Sequence, residues 1–165
     1  MNKTINGSGL RKMFATAFSL VEENREGIDA LNVFPVPDGD TGTNMSLTLK
    51  SAATEMNNCE SNTIEAICVA FNRGALKGAR GNSGVITSQI IKGMCSALMS
   101  CENEIDIKTF ARAIQSGAEM AYKAVTVPKE GTILTVIKAM AEKSKQAAKT
   151  NKCFEDFLNE IIAHG

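Results

Sequence analysis

Two carboxylates, Asp38 and Asp40, stand two positions apart across Gly39, in a segment opened by Pro37. A turn relaxed by glycine lets both converge on one hard cation, and oxygen ligation suits Mg²⁺, which keeps several waters and also takes substrate phosphates. The same pair can instead cap the helix that follows, where acidic groups near free amides are favourable. Thr41-Gly42-Thr43-Asn44 comes next and adds small hydroxyls and a helix start, an arrangement suited to phosphate oxygens. A second segment, Gly78-Ala79-Arg80-Gly81-Asn82-Ser83-Gly84, repeats this logic. Its glycines permit close backbone approach, Ser83 offers a hydroxyl and an amide at a helix start, and Arg80 can neutralise phosphate charge. A third, Glu130-Gly131-Thr132, could add a ligand, line a base pocket or simply begin a helix.

Other chemistries lack their residues. The single histidine, His164, lies at the end of the chain, so neither a Ser-His-Asp nor a Cys-His arrangement nor HExxH is present. The five cysteines form no CxxC pair and suggest neither a disulfide framework nor a zinc site; Cys68 and Cys95 fall in apolar helical patterns as core thiols. The Walker spacing with its lysine is absent, and no GxGxxG follows a strand. Phosphoryl transfer remains open, because it needs mainly positioning and cation clamping.

Helices must position these groups, since helical periodicity dominates and strand-like alternation is scarce. The first apolar stripe runs from Ser8 to Leu31, followed by a polar loop from Asn32 to Gly42 in which Pro35 and Pro37 disfavour helix. Further helices are predicted from about Thr43, over Thr63–Leu76, Asn82–Met99 and Ile107–Ala124, after Gly131, and from Cys153 to the end. Short connections between antiparallel neighbours then put Asn32–Gly42, Gly78–Gly81 and Thr126–Gly131 at one end of the bundle. The loops near Asn57–Asn62, Ser100–Glu104 and Thr150–Lys152 read as plain polar turns at the other end. About seven helices leave an odd count, and a closed barrel asks for an eighth. The stretch is therefore expected to be an amino-terminal fragment, residues 1–165, of a longer multidomain protein.

The composition suits a soluble domain: 165 residues, 44% hydrophobic and 22% charged. Eighteen basic and eighteen acidic residues cancel, so no global charge draws nucleic acid or anionic membrane. The amino terminus lacks the apolar core of a signal peptide, and no stretch is long and apolar enough to span a bilayer. A reducing cytoplasm is the expected compartment. Lys143, Lys145, Lys149 and Lys152 make one late helix basic, which reads as a solvated helix end.

The stretch Leu31-Asn32-Val33-Phe34-Pro35-Val36-Pro37-Asp38-Gly39-Asp40-Thr41-Gly42-Thr43-Asn44-Met45 resembles a signature of the nucleotide-binding domain shared by dihydroxyacetone (glycerone) kinases and bacterial fatty acid kinase. Gly78 to Ile86 with Ser88-Gln89, and Pro128 with Glu130 to Val136, resemble its second and third signatures in order and spacing. The resemblance implies an all-α barrel of eight antiparallel helices, of the DhaL type, with ATP or ADP and Mg²⁺ at one end. It implies Asp38 and Asp40 as metal ligands; Arg80, able to neutralise phosphate charge, is the further catalytic candidate. Thr41, Thr43, Asn44, Asn82, Ser83, Gly84 and Thr132 would then contact nucleotide. Val33 stands where the glycerone branch carries a further ligand, which leaves Asp29 or Asn32 as candidates for the third. The implied reaction is transfer of the γ-phosphate to the carboxylate of a fatty acid held by a separate fatty-acid-binding protein. A glycerone-type kinase subunit and a non-catalytic nucleotide-binding domain are the alternatives. Any homodimer is expected to form through regions beyond this stretch.

Overall fold

The computed structural model describes residues 3–165; Met1 and Asn2, where the signal-peptide reading begins, lie outside them. The order is β1 (Thr4–Asn6), α1 (Gly7–Glu23), α2 (Arg25–Ala30), α3 (Thr41–Asn57), α4 (Ile64–Gly78), α5 (Gly81–Leu98), β2 (Glu104–Asp106), α6 (Ile107–Ala124), α7 (Ile133–Thr150) and α8 (Phe154–Ile162). The fold is all-α, as the apolar spacing predicts. Several helices begin at residues able to accept from free amides. Asn6 accepts from the Gly9 amide at 2.9 Å, Thr63 from Ala66 at 3.3 Å and Asp106 from Thr109 at 2.7 Å, each satisfying a donor that the helix leaves open.

Eight helices are present among the described residues, one more than the spacing predicts, because the first predicted helix is divided in two. The stripe read as a single helix from Ser8 to Leu31 breaks at Asn24, where the backbone leaves the α region (φ −101°, ψ 8°). The Asn24 side chain donates to the Leu20 carbonyl at 2.8 Å, the local competition with helix bonding that asparagine favours. Leu31, counted in that stripe, is 80% exposed and belongs to no core.

Three connections also differ from expectation. Helix α3 begins at Thr41, so the first loop ends at Asp40 and Gly42 lies inside the helix. The turn between α4 and α5 shrinks to Ala79 and Arg80, with Gly78 and Gly84 inside helices. Glu104, read as part of a polar turn, opens β2, which pairs antiparallel with β1 so that Ile5 faces Ile105, both buried. A three-residue strand with one apolar residue prints no detectable alternation.

Helices α3, α4 and α5 pack on one another; α1 and α2 lie against α3, and α6, α7 and α8 follow α5 side by side. Glycines let the backbones approach. Gly74 meets the Ser51 carbonyl and Ala52 of α3, and Gly93 meets Ser116 and Gly117 of α6. Phe14 stacks on Phe71 at 4.1 Å, while Phe110, Phe154 and Phe157 meet edge to face and fix α8 on α6. Cys68 and Cys95 are fully buried core thiols.

Ile90 of α5 lies against Gly117 of α6, and Ser144 of α7 donates to the Ala111 carbonyl at 3.4 Å. With the short connections, these crossings make neighbouring helices antiparallel, so α3, α5 and α7 start at the same end. Among the described residues, the positive-φ positions are Gly39 (65°), Gly81 (58°) and Gly131 (77°), one at the start of each of those helices. Only glycine adopts this backbone readily.

Gly93 and Gly27 separate packing from propensity. A Cβ at Gly93 would collide with the Ser116 backbone, whereas one at Gly27 meets nothing within 4 Å. Gly93→Ala is expected to destabilise by about 1–3 kcal/mol. Gly27→Ala is expected to stabilise by about 0.5–1 kcal/mol. Chemical denaturation of both variants checks the pair.

Candidate functional site

The α3 and α5 starts meet through small residues. Gly81 presses on the Asn44 side chain so closely that no Cβ would fit, and a Cβ at Gly84 would lie 2.5 Å from Thr48 Oγ1. Thr48 joins the two segments: its hydroxyl donates to the Asn44 carbonyl at 2.7 Å and accepts from the Arg80 amide at 3.4 Å. Ser83 donates to the Thr41 carbonyl at 3.4 Å. The first two signatures are thereby one structural unit, in which Thr41, Asn44, Ser83 and Gly84 are neighbours.

The carboxylates sit at its edge. Asp40 occupies the N-cap position of α3 but makes no side-chain capping bond, so the capping alternative is not realised. Among the described residues, neither Asp38 nor Asp40 uses its carboxylate in a hydrogen bond or ion pair. No group of three His, Cys, Asp or Glu side chains converges as a metal cluster among the described residues.

Asp29 and Asn32, the candidates for a third ligand, make hydrogen bonds at the base of the first loop. Asp29 accepts from the Thr43 amide at 3.0 Å and from the Thr43 hydroxyl at 2.7 Å. These bonds, the backbone one foremost, hold the Asp29 carboxyl below its ordinary range. Asn32 accepts from the Asp40 amide at 3.2 Å and donates to the Val36 carbonyl at 2.9 Å, bracing the loop across its base. Gly42 packs so tightly on the Arg25 backbone that no Cβ would fit between α2 and the start of α3.

The remaining residues divide. The Arg80 and Asn82 side chains are exposed at the start of α5. Arg80 faces an open groove with Lys50 and Lys77. Thr132 serves as the N-cap of α7, accepting from Leu134 at 3.3 Å and donating to Lys129 at 2.7 Å. No hydrogen bond ties this third loop to the first two among the described residues; it is held locally. Glu130 accepts from Thr135 at 2.7 Å and from Tyr122 at 3.2 Å, and the Thr135 bond draws its carboxyl below the ordinary range.

Sequence reasoning passed over Thr48, whose signal was its place one helical turn after Asn44. It also missed the Ser46 hydroxyl donating to Glu22, which ties α3 to α1 and leaves no pattern in a single sequence. The basic α7 end is solvated as expected, with Lys143 paired to Glu160 at 2.7 Å.

A DAK2 domain model matches residues 35–164. Uncharacterized proteins of Staphylococcus aureus, strains USA300 and NCTC 8325, are 46% identical over 156 residues, which is 94% of this chain and 28% of each relative. The chain belongs to the DAK2 domain family. It spans little more than a quarter of the length of these relatives. No helix among the described residues is long and apolar enough to cross a membrane.

Asp29 has a pH signature whose sign follows from its depressed folded-state pKa. Its contribution is fully present above the unfolded value near 3.8 and is lost as pH falls through the lower folded value. Asp29→Asn is expected to speed amide exchange at Thr43 at neutral pH, and in wild type the same opening appears only in acid below that value. Residue-resolved hydrogen exchange measures both.

Proposed function

We propose that this domain binds ATP or ADP with Mg²⁺ where α3 and α5 begin, and that it is the kinase domain of a fatty acid kinase. The acceptor is then the carboxylate of a fatty acid presented by a separate binding protein. The observation that carries the proposal is the unengaged Asp38–Asp40 pair beside two joined helix starts. An exposed carboxylate, Asp38, and a half-buried one, Asp40, repel each other until a cation neutralises them. Acceptor-only oxygens suit Mg²⁺, and two protein ligands are enough for an ion that completes its shell with water and phosphate oxygens. When bound, Mg²⁺ neutralises charge on the transferring phosphoryl group.

The chain's own groups supply the rest. Open amides at the start of α5 favour phosphate oxygens, while Asp29 already holds the Thr43 amide at the start of α3. Thr41, Thr43, Asn44, Asn82 and Ser83 surround those starts, and Thr132 belongs to the nucleotide pocket if the third loop closes over it. Arg80 offsets the charge that builds as the bond from the γ-phosphorus to the β-phosphate oxygen breaks and the bond to the acceptor carboxylate forms. The products are an acyl phosphate and ADP. Membership of the DAK2 family supports the nucleotide reading, and Val33 in place of a third acidic residue favours the fatty acid branch over the glycerone branch. A cytoplasmic setting fits the free thiols.

Asp40→Asn should keep the helical signal, since its carboxylate caps nothing, while weakening Mg²⁺-dependent nucleotide binding at least about tenfold. Calorimetric titration of ADP with and without Mg²⁺ on both proteins is the check. Equal Mg²⁺-dependent affinity would remove Asp40 from the metal site.

A further inference from the structure

A second charged feature lies on α3 and α4. An open groove of ≈ 490 Å³ runs along α3 and the end of α4 and finishes at Arg80. Lys50, Lys77 and Arg80 line it with Glu55 and the half-exposed Leu47. Arg73 joins through Glu55, which already accepts from Arg73 at 2.9 Å and Lys77 at 3.0 Å. These pairs hold the Glu55 carboxyl below its ordinary range, the Lys77 bond foremost. Four cations thus face one carboxylate, in a chain whose formal charge is zero. Lys50 and Arg80 form no ion pair among the described residues. A smaller adjoining cleft shares Leu47 and Lys50 and adds Arg25 with its own partner Glu22, so the surplus stands.

The other lysine-rich stretch is different. On α7, Lys143 is neutralised by Glu160, and acidic residues of α8 (Glu155, Asp156) lie nearby in sequence. The α3–α4 groove keeps its surplus and includes one exposed apolar side chain, Leu47.

We infer that this groove is a docking site for an acidic segment of a partner protein, with carboxylates opposite Lys50, Lys77 and Arg80 and an apolar side chain resting on Leu47. Charge complementarity selects the sign of the partner. The small number of cations and the absence of net charge argue against nucleic acid, which is held by an extended basic surface. The inference goes beyond nucleotide binding and does not depend on it. A partner seated here would end beside Arg80, at the start of α5.

The test uses the ¹⁵N-labelled chain without nucleotide, titrated with a short peptide of alternating glutamate and leucine. Amide shifts are expected along residues 47–55 and 73–80. Affinity is expected to fall about tenfold in K50E/K77E and by a smaller factor in K50Q/K77Q, and to be unchanged in K145E/K149E. The neutral variant carries the test if charge reversal beside Glu55 disturbs folding. Shifts centred on the α7 lysines, or equal affinity in wild type and K50Q/K77Q, would overturn the site. Tighter binding of duplex DNA or phosphatidylglycerol vesicles, lost in the same variants, would overturn the choice of a protein partner. Because nucleotide is absent, none of these outcomes bears on the kinase reading.

Discussion

The contact between the first turns of α3 and α5 is the constraint on which the candidate site rests. Gly81 and Gly84 remove the side chains that would hold the helices apart, and Thr48 closes the gap with bonds to both segments. The amides that open α5 consequently lie beside the α3 start, whose Thr43 amide is already held by Asp29. A single helix start attracts an anion modestly; the α5 start, with an unengaged carboxylate pair beside it, offers both signs that a metal–phosphate complex needs. Replacing either glycine would separate those groups without touching a charged residue.

A second layer holds this contact in register. Asp29 grips Thr43, Asn32 grips Asp40, and Gly42 rests on Arg25, so the short α2 acts as a brace for the α3 start. The break at Asn24 makes this possible: a continuous first helix would carry Asp29 and Asn32 away along its axis. Asp29 and Asn32 thereby shape the loop, while the Asp38 and Asp40 carboxylates make no hydrogen bond or ion pair among the described residues.

Much of this was legible because glycine and helical period report strongly. The apolar spacing located α3 through α8 within a few residues, and the antiparallel rule placed the Gly-rich loops at one end. Gly39, Gly81 and Gly131 carried the backbone information, since each takes a conformation that other residues avoid. The break at Asn24 was not legible, because the apolar stripe continues through it. The β1–β2 pair was too short to show a period. The Asp29–Thr43 and Glu22–Ser46 bonds join residues that only tertiary packing brings together. Thr132 as a helix start was one of the readings its sequence allowed, since a cap and a ligand use the same side chains; the Glu130–Thr135 bond left no such signal.

The central claim is that a metal–nucleotide complex binds where α3 and α5 begin. Paramagnetic broadening tests it directly, with Mn²⁺ in place of Mg²⁺ added to the ¹⁵N-labelled chain in the presence of ADP. The amides of Gly39–Asn44 and Gly81–Gly84 are expected to broaden together, nucleotide-dependently, while those of residues 58–62 at the far end stay sharp. Broadening that reaches only one of the two segments, or that ignores both, would contradict it.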